Sequence, residues 1–172
     1  MNRQVTYVLS VLSIAVLGAC ATSMSGPSAS ATLAARSGST VSGSVVFSEA
    51  AGKLRIEATV AGLTPGEHGF HVHEAGDCSA PDATSAKGHF NPAGKMHGHY
   101  DTADHHGGDM PNLVANAQGE ARYSVEVSGL SLDGPNGVLR RSVVIHADPD
   151  DYKSQPAGNS GKRIACGVIA AR

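Results

Sequence analysis

Two histidines flank a valine in Gly69-Phe70-His71-Val72-His73-Glu74, a stretch too apolar for a solvated loop. On a strand, alternate side chains share a face, so both imidazoles project the same way, with Cα atoms about 6.5–7 Å apart. That spacing suits two neighbouring positions around one metal ion. His89, His97, His106, Asp109 and His146 follow at further ligand-like positions. His89, in Gly88-His89-Phe90-Asn91-Pro92, and His146 raise the imidazole count to four. Four nitrogens in a flattened arrangement suit copper(II). His97, His106 and Asp109 supply two nitrogens and one oxygen, one ligand short of the tetrahedron that zinc prefers. The economical solution gives His89 to both ions, one through each ring nitrogen. The ring must then lose both protons, and the resulting imidazolate is stabilised by two cations. One histidine is ordinarily packed or solvated; a set of seven spaced donors is a site.

Such a site needs a rigid frame, and the pattern between the histidines predicts one. Leu54, Ile56, Ala58 and Val60 alternate with Lys53, Arg55, Glu57 and Thr59. Ala121, Tyr123, Val125 and Val127 alternate with Arg122, Ser124, Glu126 and Ser128. Both read as half-buried antiparallel strands. Val41–Phe47 is a third, turning at Ala50-Ala51-Gly52 into the Lys53 strand. Arg141–His146 and Ile164–Ile169 are two more, and a weaker one falls around Ala29–Ala35. No window carries an amphipathic helix. The prediction is an all-β fold, an antiparallel Greek-key β-sandwich or flattened barrel of immunoglobulin-like architecture. Two long segments interrupt it, Glu74 to about Asn112 and Ala147 to Arg163. Loops of that length in a compact domain usually carry function. Metal cross-links would keep them ordered.

The N-terminus reads as an address. Arg3 is a short positive region, Val5–Leu17 is almost wholly apolar, and Leu17-Gly18-Ala19-Cys20 places small residues directly before a cysteine. The run is too short to span a bilayer and favours an export signal. Its ending resembles a bacterial lipobox, in which Cys20 is lipidated and begins the mature chain. An ordinary signal cut nearby, with Cys20 discarded, is the other reading. Residues 21–27 form an Ala/Ser/Gly/Pro-rich tether, and 28–172 form the domain. The expected location is periplasmic or cell-surface, tethered to a membrane. In an exported protein the remaining cysteines, Cys78 and Cys166, are expected to pair. The formal charge of −2 becomes −3 once Arg3 is removed with the signal, and no basic run exists, which argues against nucleic acid as a partner.

Gly69–Glu74, Gly88–Pro92, the His97/His106/Asp109 spacing, Val144–His146 and Gly161–Ile169 together resemble the copper/zinc superoxide dismutase family. The resemblance covers nearly all of the chain after about residue 28, and Gly76-Asp77-Cys78 looks like the bacterial version of its loop. It implies copper at His71, His73, His89 and His146, and zinc at His89, His97, His106 and Asp109. It implies that Asp150 bridges His71 and His97, with Asp148 and Asp151 as nearby competitors, and that Cys78 and Cys166 form the disulfide. It implies that Arg163 docks the superoxide anion, and that His89 takes a proton once it releases copper. His105 competes with His106 for zinc, the three-residue step to Asp109 favouring His106. His68 is expected to pack and hydrogen-bond, His99 to face solvent, and Lys87, Lys153 and Lys162 to be solvated or to attract anions.

Two rival functions differ in what they require. A non-catalytic copper-binding or copper-chaperone-like module would lack part of the copper set or the arginine. A zinc hydrolase would need an open water position and a general base, and none stands out. No motif selects monomer or homodimer.

Overall fold

The structure, a computed structural model, describes residues 26–172. The export signal, Cys20 and most of the tether lie outside the described residues. The strands are β1 (Ser28–Ala35), β2 (Ser42–Ala50), β3 (Lys53–Ala61), β4 (Gly66–His68), β5 (Phe70–His73), β6 (Leu113–Ala115), β7 (Ala121–Val127), β8 (Ser142–His146), β9 (Arg163–Val168) and β10 (Ala170–Ala171). A 3-10 turn at Thr84–Ala86 is the single helical element among the described residues.

β3 shows how the pattern becomes structure. Leu54, Ile56, Ala58 and Val60 are buried, and every residue between them is exposed. It pairs antiparallel with β2 from Ser42↔Ala61 to Ala50↔Lys53. The hairpin turns at Ala51 and Gly52, with φ of 52° and 73°. Two central residues with positive φ match the right-handed twist of the strands they join.

The sheet runs β5-β8-β9-β1-β2-β3-β7, with β10 added beside β1, and every ladder in it is antiparallel. The chain leaves β3 near one edge and crosses to β5 at the other. It returns through β6 to β7, and β4 and β6 form a separate ribbon. This is the flattened-barrel form of the expected fold, one curled sheet around one core. β1, the weakest strand in the sequence, is the joint. It pairs with β2 over Ser28–Leu33 and with β9 at Ala34 and Ala35. Phe47, Ile56, Phe70, Leu113, Val143 and Ile145, drawn from both halves, share that core. β4, β6 and β10 have only two or three residues each, too few for a period to register in the sequence.

β8 is buried along its whole length, so its two faces have different partners. Val143 and Ile145 enter the main core, whereas Val144 packs with Ala83, Ala86 and Cys166 in a second cluster. That cluster is roofed by the first long loop. A Cys78–Cys166 disulfide with Cα atoms 5.8 Å apart pins the loop to β9 across 88 residues of chain. We expect thiol titration of folded, unreduced domain to find neither cysteine free. Replacing Cys166 with serine should cost about 2–5 kcal/mol, read from the denaturant midpoint.

Candidate metal centre

His71 and His73 stand on β5, which pairs with β8 in the register His71↔Val144 and His73↔Ser142. His146 ends β8, where the β8–β9 register shifts and places it opposite Arg163. The first long loop then folds back along β5. Phe90 donates its N–H to the carbonyl of Val72 at 2.8 Å, Val72 to Gly108 at 2.9 Å, and Gly108 to Phe90 at 2.8 Å. These bonds set His89 against His73 and Asp109 against His71 as isolated bridges. Gly108 permits the junction, because a Cβ there would sit 2.1 Å from the carbonyl oxygen of Val72. The loop is therefore held to the strand by main chain before any side chain acts.

His71, His73, His89 and His146 are all buried, and one donor atom from each lies within 4.8 Å of the others. Their tautomers are set from behind. Asp150 Oδ2 takes the Nε2–H of His71 at 2.8 Å. The carbonyl of Lys87 takes the Nδ1–H of His73 at 2.9 Å, and that of Gly161 faces His146 Nδ1 at 3.3 Å. What is left over is His71 Nδ1 and the Nε2 atoms of His73, His89 and His146, each buried with no hydrogen-bond partner. Buried polar atoms are almost always paired, so four orphans converging on one point mark a place for a cation. Burial, with the neighbouring imidazoles, pushes His73 and His146 well below the usual histidine range. Burial and His71 push His89 down to about 4, against the pull of Asp109. These rings are neutral at physiological pH, with lone pairs free.

The second set shares His89. Its Nδ1 lies 2.8 Å from Asp109 Oδ1 and 3.4 Å from His106 Nδ1. His97 Nδ1 lies 3.1 Å from the same Asp109 oxygen and makes no aligned hydrogen bond. Asp109 Oδ2 is occupied by the N–H groups of His106 and Gly98, at 2.8 and 3.1 Å, which turns Oδ1 toward the three rings. His89, His97, His106 and Asp109 again bring their donor atoms within 4.8 Å of one another. Asp150 Oδ1 takes the Nε2–H of His97 at 2.9 Å, so one carboxylate orients a ring of each set. Burial alone would raise Asp109 and Asp150. Hydrogen bonds from the histidines override it and hold both well below the usual carboxylate range. The same carboxylates overcome burial at His97 and raise it to about 9.

The remaining histidines lie outside both donor sets. His68 is buried, with Nδ1 at 2.8 Å from the carbonyl of His146 and Nε2 at 2.8 Å from that of Thr64. His105 donates to the carbonyl of His106 at 2.6 Å and stays outside the cluster. His99 is half-exposed, beside Asp101 and against the ring of Tyr152. Asp148 and Asp151 do not reach the histidines; Asp151 instead caps Lys153 and Ser154. Arg163 is half-buried, its Nη1 donating to the carbonyl of Ala83 at 2.8 Å. With His146 it lines an open cleft of about 290 Å³, walled by Gln155, Pro156 and Asn159. Lys87, Lys153 and Lys162 are exposed on the surrounding loops.

A fold of this kind, with two donor sets sharing one ring, defines a dinuclear metalloprotein built on a curled antiparallel sheet. The family model described as "Copper/zinc superoxide dismutase (SODC)" matches residues 41–169, and the chain belongs to that family. It is 42% identical over 136 residues to "Superoxide dismutase [Cu-Zn] 2" of Brassica juncea, covering 75% of this chain and 89% of that protein. It is 48% identical over 120 residues to "Superoxide dismutase [Cu-Zn] 2" of Aquifex aeolicus (strain VF5), covering 66% and 70%. Among solved structures it resembles the clock protein EA4, with a TM-score of 0.78 and 38% identity over 85% of this chain and 95% of that one. The family brings copper and zinc, and the orphaned nitrogens and the oriented Asp109 fit them.

The shifted groups define how the metal-free protein responds to pH. Asp109 and Asp150 sit below their unfolded value of about 4, so their contribution is complete above it and drains away as pH falls. His97 sits above its unfolded value of about 6.5. Its contribution is complete below that value and is lost as pH rises through about 9. His73, His89 and His146 sit below the same unfolded value, so folding is opposed as pH falls under about 6.5, and metal-free protein should be most heat-stable near pH 6.5 and weaken on both sides. Zinc held at His97 Nδ1 would stand where that proton is, so melting curves with zinc should lose the alkaline decline.

Proposed function

We propose that this protein dismutates superoxide to oxygen and hydrogen peroxide in an extracytoplasmic compartment. Copper would be held by His71 Nδ1 and by Nε2 of His73, His89 and His146. Zinc would be held by Nδ1 of His89, His97 and His106 and by Asp109 Oδ1, with Asp150 orienting His71 and His97. The observation that carries this reading is the His89 ring. It offers a buried, unpartnered Nε2 to three other imidazoles and its Nδ1 to Asp109 and His106.

When bound, copper supplies a one-electron couple that accepts an electron from one superoxide and returns it to the next, while zinc fixes a positive charge on the far side of His89. Arg163 brings the anion in. A guanidinium stays charged and carries five N–H donors, so the one bonded to Ala83 leaves the others for substrate. His89 Nε2 has no protein partner, so nothing in the protein competes for a proton placed there. It is suited to hand one of the two required protons to the reduced product. The cleft beside His146 admits the other from water.

The same reading assigns residues 1–20 as an export signal, Cys20 as the lipidated first residue, 21–27 as a tether and 28–172 as the catalytic domain, displayed at the periplasmic or cell surface. A disulfide-bonded domain suits that compartment.

Metal analysis should find one copper and one zinc per chain, and chelating copper should abolish superoxide decay; full copper loading without turnover would favour a copper carrier. In loaded protein, Arg163→Ala should lower kcat/KM about tenfold or more, the weight of a charge-assisted hydrogen bond, and flatten its salt dependence with copper retained. Unaltered rates in that variant would exclude the docking role. Mass spectrometry of the mature protein should find an acylated Cys20; an unacylated chain starting beyond it would end the lipoprotein assignment.

A further inference from the structure

The turn between β1 and β2 is remote in sequence from every metal donor, yet it grips both sides of the anion-docking arm. Arg36 is half-buried, and its Nε and Nη2 donate together to the carbonyl of Cys78, at 2.9 and 2.5 Å. Its main-chain N–H donates to the carbonyl of Ile164 at 2.9 Å. Ser37 donates its N–H to the carbonyl of Pro81 and its Oγ–H to that of Arg163, both at 2.8 Å. Two consecutive residues thus hold the loop at Cys78 and Pro81 and the β9 backbone at Arg163 and Ile164. The circuit closes where Arg163 Nη1 meets the carbonyl of Ala83, two residues beyond Pro81.

The disulfide fixes this loop at Cys78, and Ala83 and Ala86 pack with Val144. One covalent link and apolar packing set where the segment lies more firmly than how its carbonyls are turned. Directional hydrogen bonds fix that turn. The two-pronged grip of Arg36 on the Cys78 carbonyl and the Pro81 contact of Ser37 provide them, referenced to the same strand that carries Arg163. We propose that Arg36, assisted by Ser37, is a positioning residue for substrate docking, fixing the Ala83 carbonyl so that it aims the Arg163 guanidinium. The inference rests on Arg163 being the anion-docking group.

The test uses full-length protein loaded with copper and zinc. The affinity for azide, a small anion read from the copper absorption spectrum, is measured beside superoxide decay, copper content and melting temperature. Arg36→Lys keeps the positive charge and removes the planar fork. Azide should bind about two- to tenfold more weakly, the weight of one hydrogen bond, and kcat/KM should fall by a similar factor with copper content unchanged. Introduced into Arg163→Ala, the same substitution should cause no further loss, because it acts through Arg163. Wild-type azide affinity in Arg36→Lys, or an equal loss with and without Arg163, overturns the positioning role while leaving the docking reading intact. An Arg163→Ala protein with wild-type azide affinity overturns both. Should Arg36→Lys not take up copper, Arg36→Gln decides by the same comparison, since it removes both guanidinium donors held by the Cys78 carbonyl.

Discussion

His89 faces two donor clusters with one ring, and a ring can carry only so many protons. A neutral imidazole gives a proton to one side and a lone pair to the other. With Nε2 buried among three more lone pairs and Nδ1 turned to a carboxylate and another imidazole, no neutral arrangement of protons satisfies both flanks. Two cations do. Charging the rings instead would stack like charges in a water-poor cluster, where His71 and His89 lie with centroids 3.9 Å apart. Each buried polar atom left without a partner costs about 1–3 kcal/mol, so the metal-free site weakens the fold that builds it.

The stability therefore resides elsewhere, in a sheet whose longest ladders, β1–β2–β3–β7, lie away from the metal donors. β5 and β8 carry three of the donors and are fully buried, which leaves those side chains little room to move. The loops are attached to that frame by different chemistry at different places. Main-chain bonds around Gly108 hold the segment carrying His89 and Asp109. The disulfide and the Val144 cluster hold the segment before it. Each donor is positioned by an attachment that exists without metal, so binding requires little reorganisation.

The residues with period-two alternation declared their strands openly, because β3 and β7 have one face on the core and one on solvent. β8 did not show the same alternation, since a loop covers its outer face and Val144 is as buried as Val143. The donors were legible from spacing because His71 and His73 share a strand face and His106 and Asp109 share a turn. The tautomers were not legible. Which nitrogen each ring presents depends on a carbonyl or carboxylate distant in sequence, such as Lys87 for His73 or Asp150 for His71. Arg36 was equally silent: an arginine at a strand end looks solvated until the fold brings Cys78 to it.

The choice of nitrogen solves a geometric problem. His71 and His73 are two residues apart on one face, and both must reach the same ion from neighbouring positions. Presenting Nδ1 from His71 and Nε2 from His73 gives the two side chains different reach, so one stops short while the other extends. Asp150 enforces the shorter option by taking His71 Nε2–H, and its other oxygen takes His97 Nε2–H in the second donor set. The loop that delivers Asp150 is itself secured to that set, where His97 and Gln155 exchange two main-chain–side-chain hydrogen bonds of 2.9 and 2.8 Å. Gln155 also walls the cleft beside Arg163. Order in the second donor set is thereby transmitted to the ring orientation of the first and to the shape of the cleft that Arg163 lines. A redox-inert ion can in this way govern a reaction it does not touch.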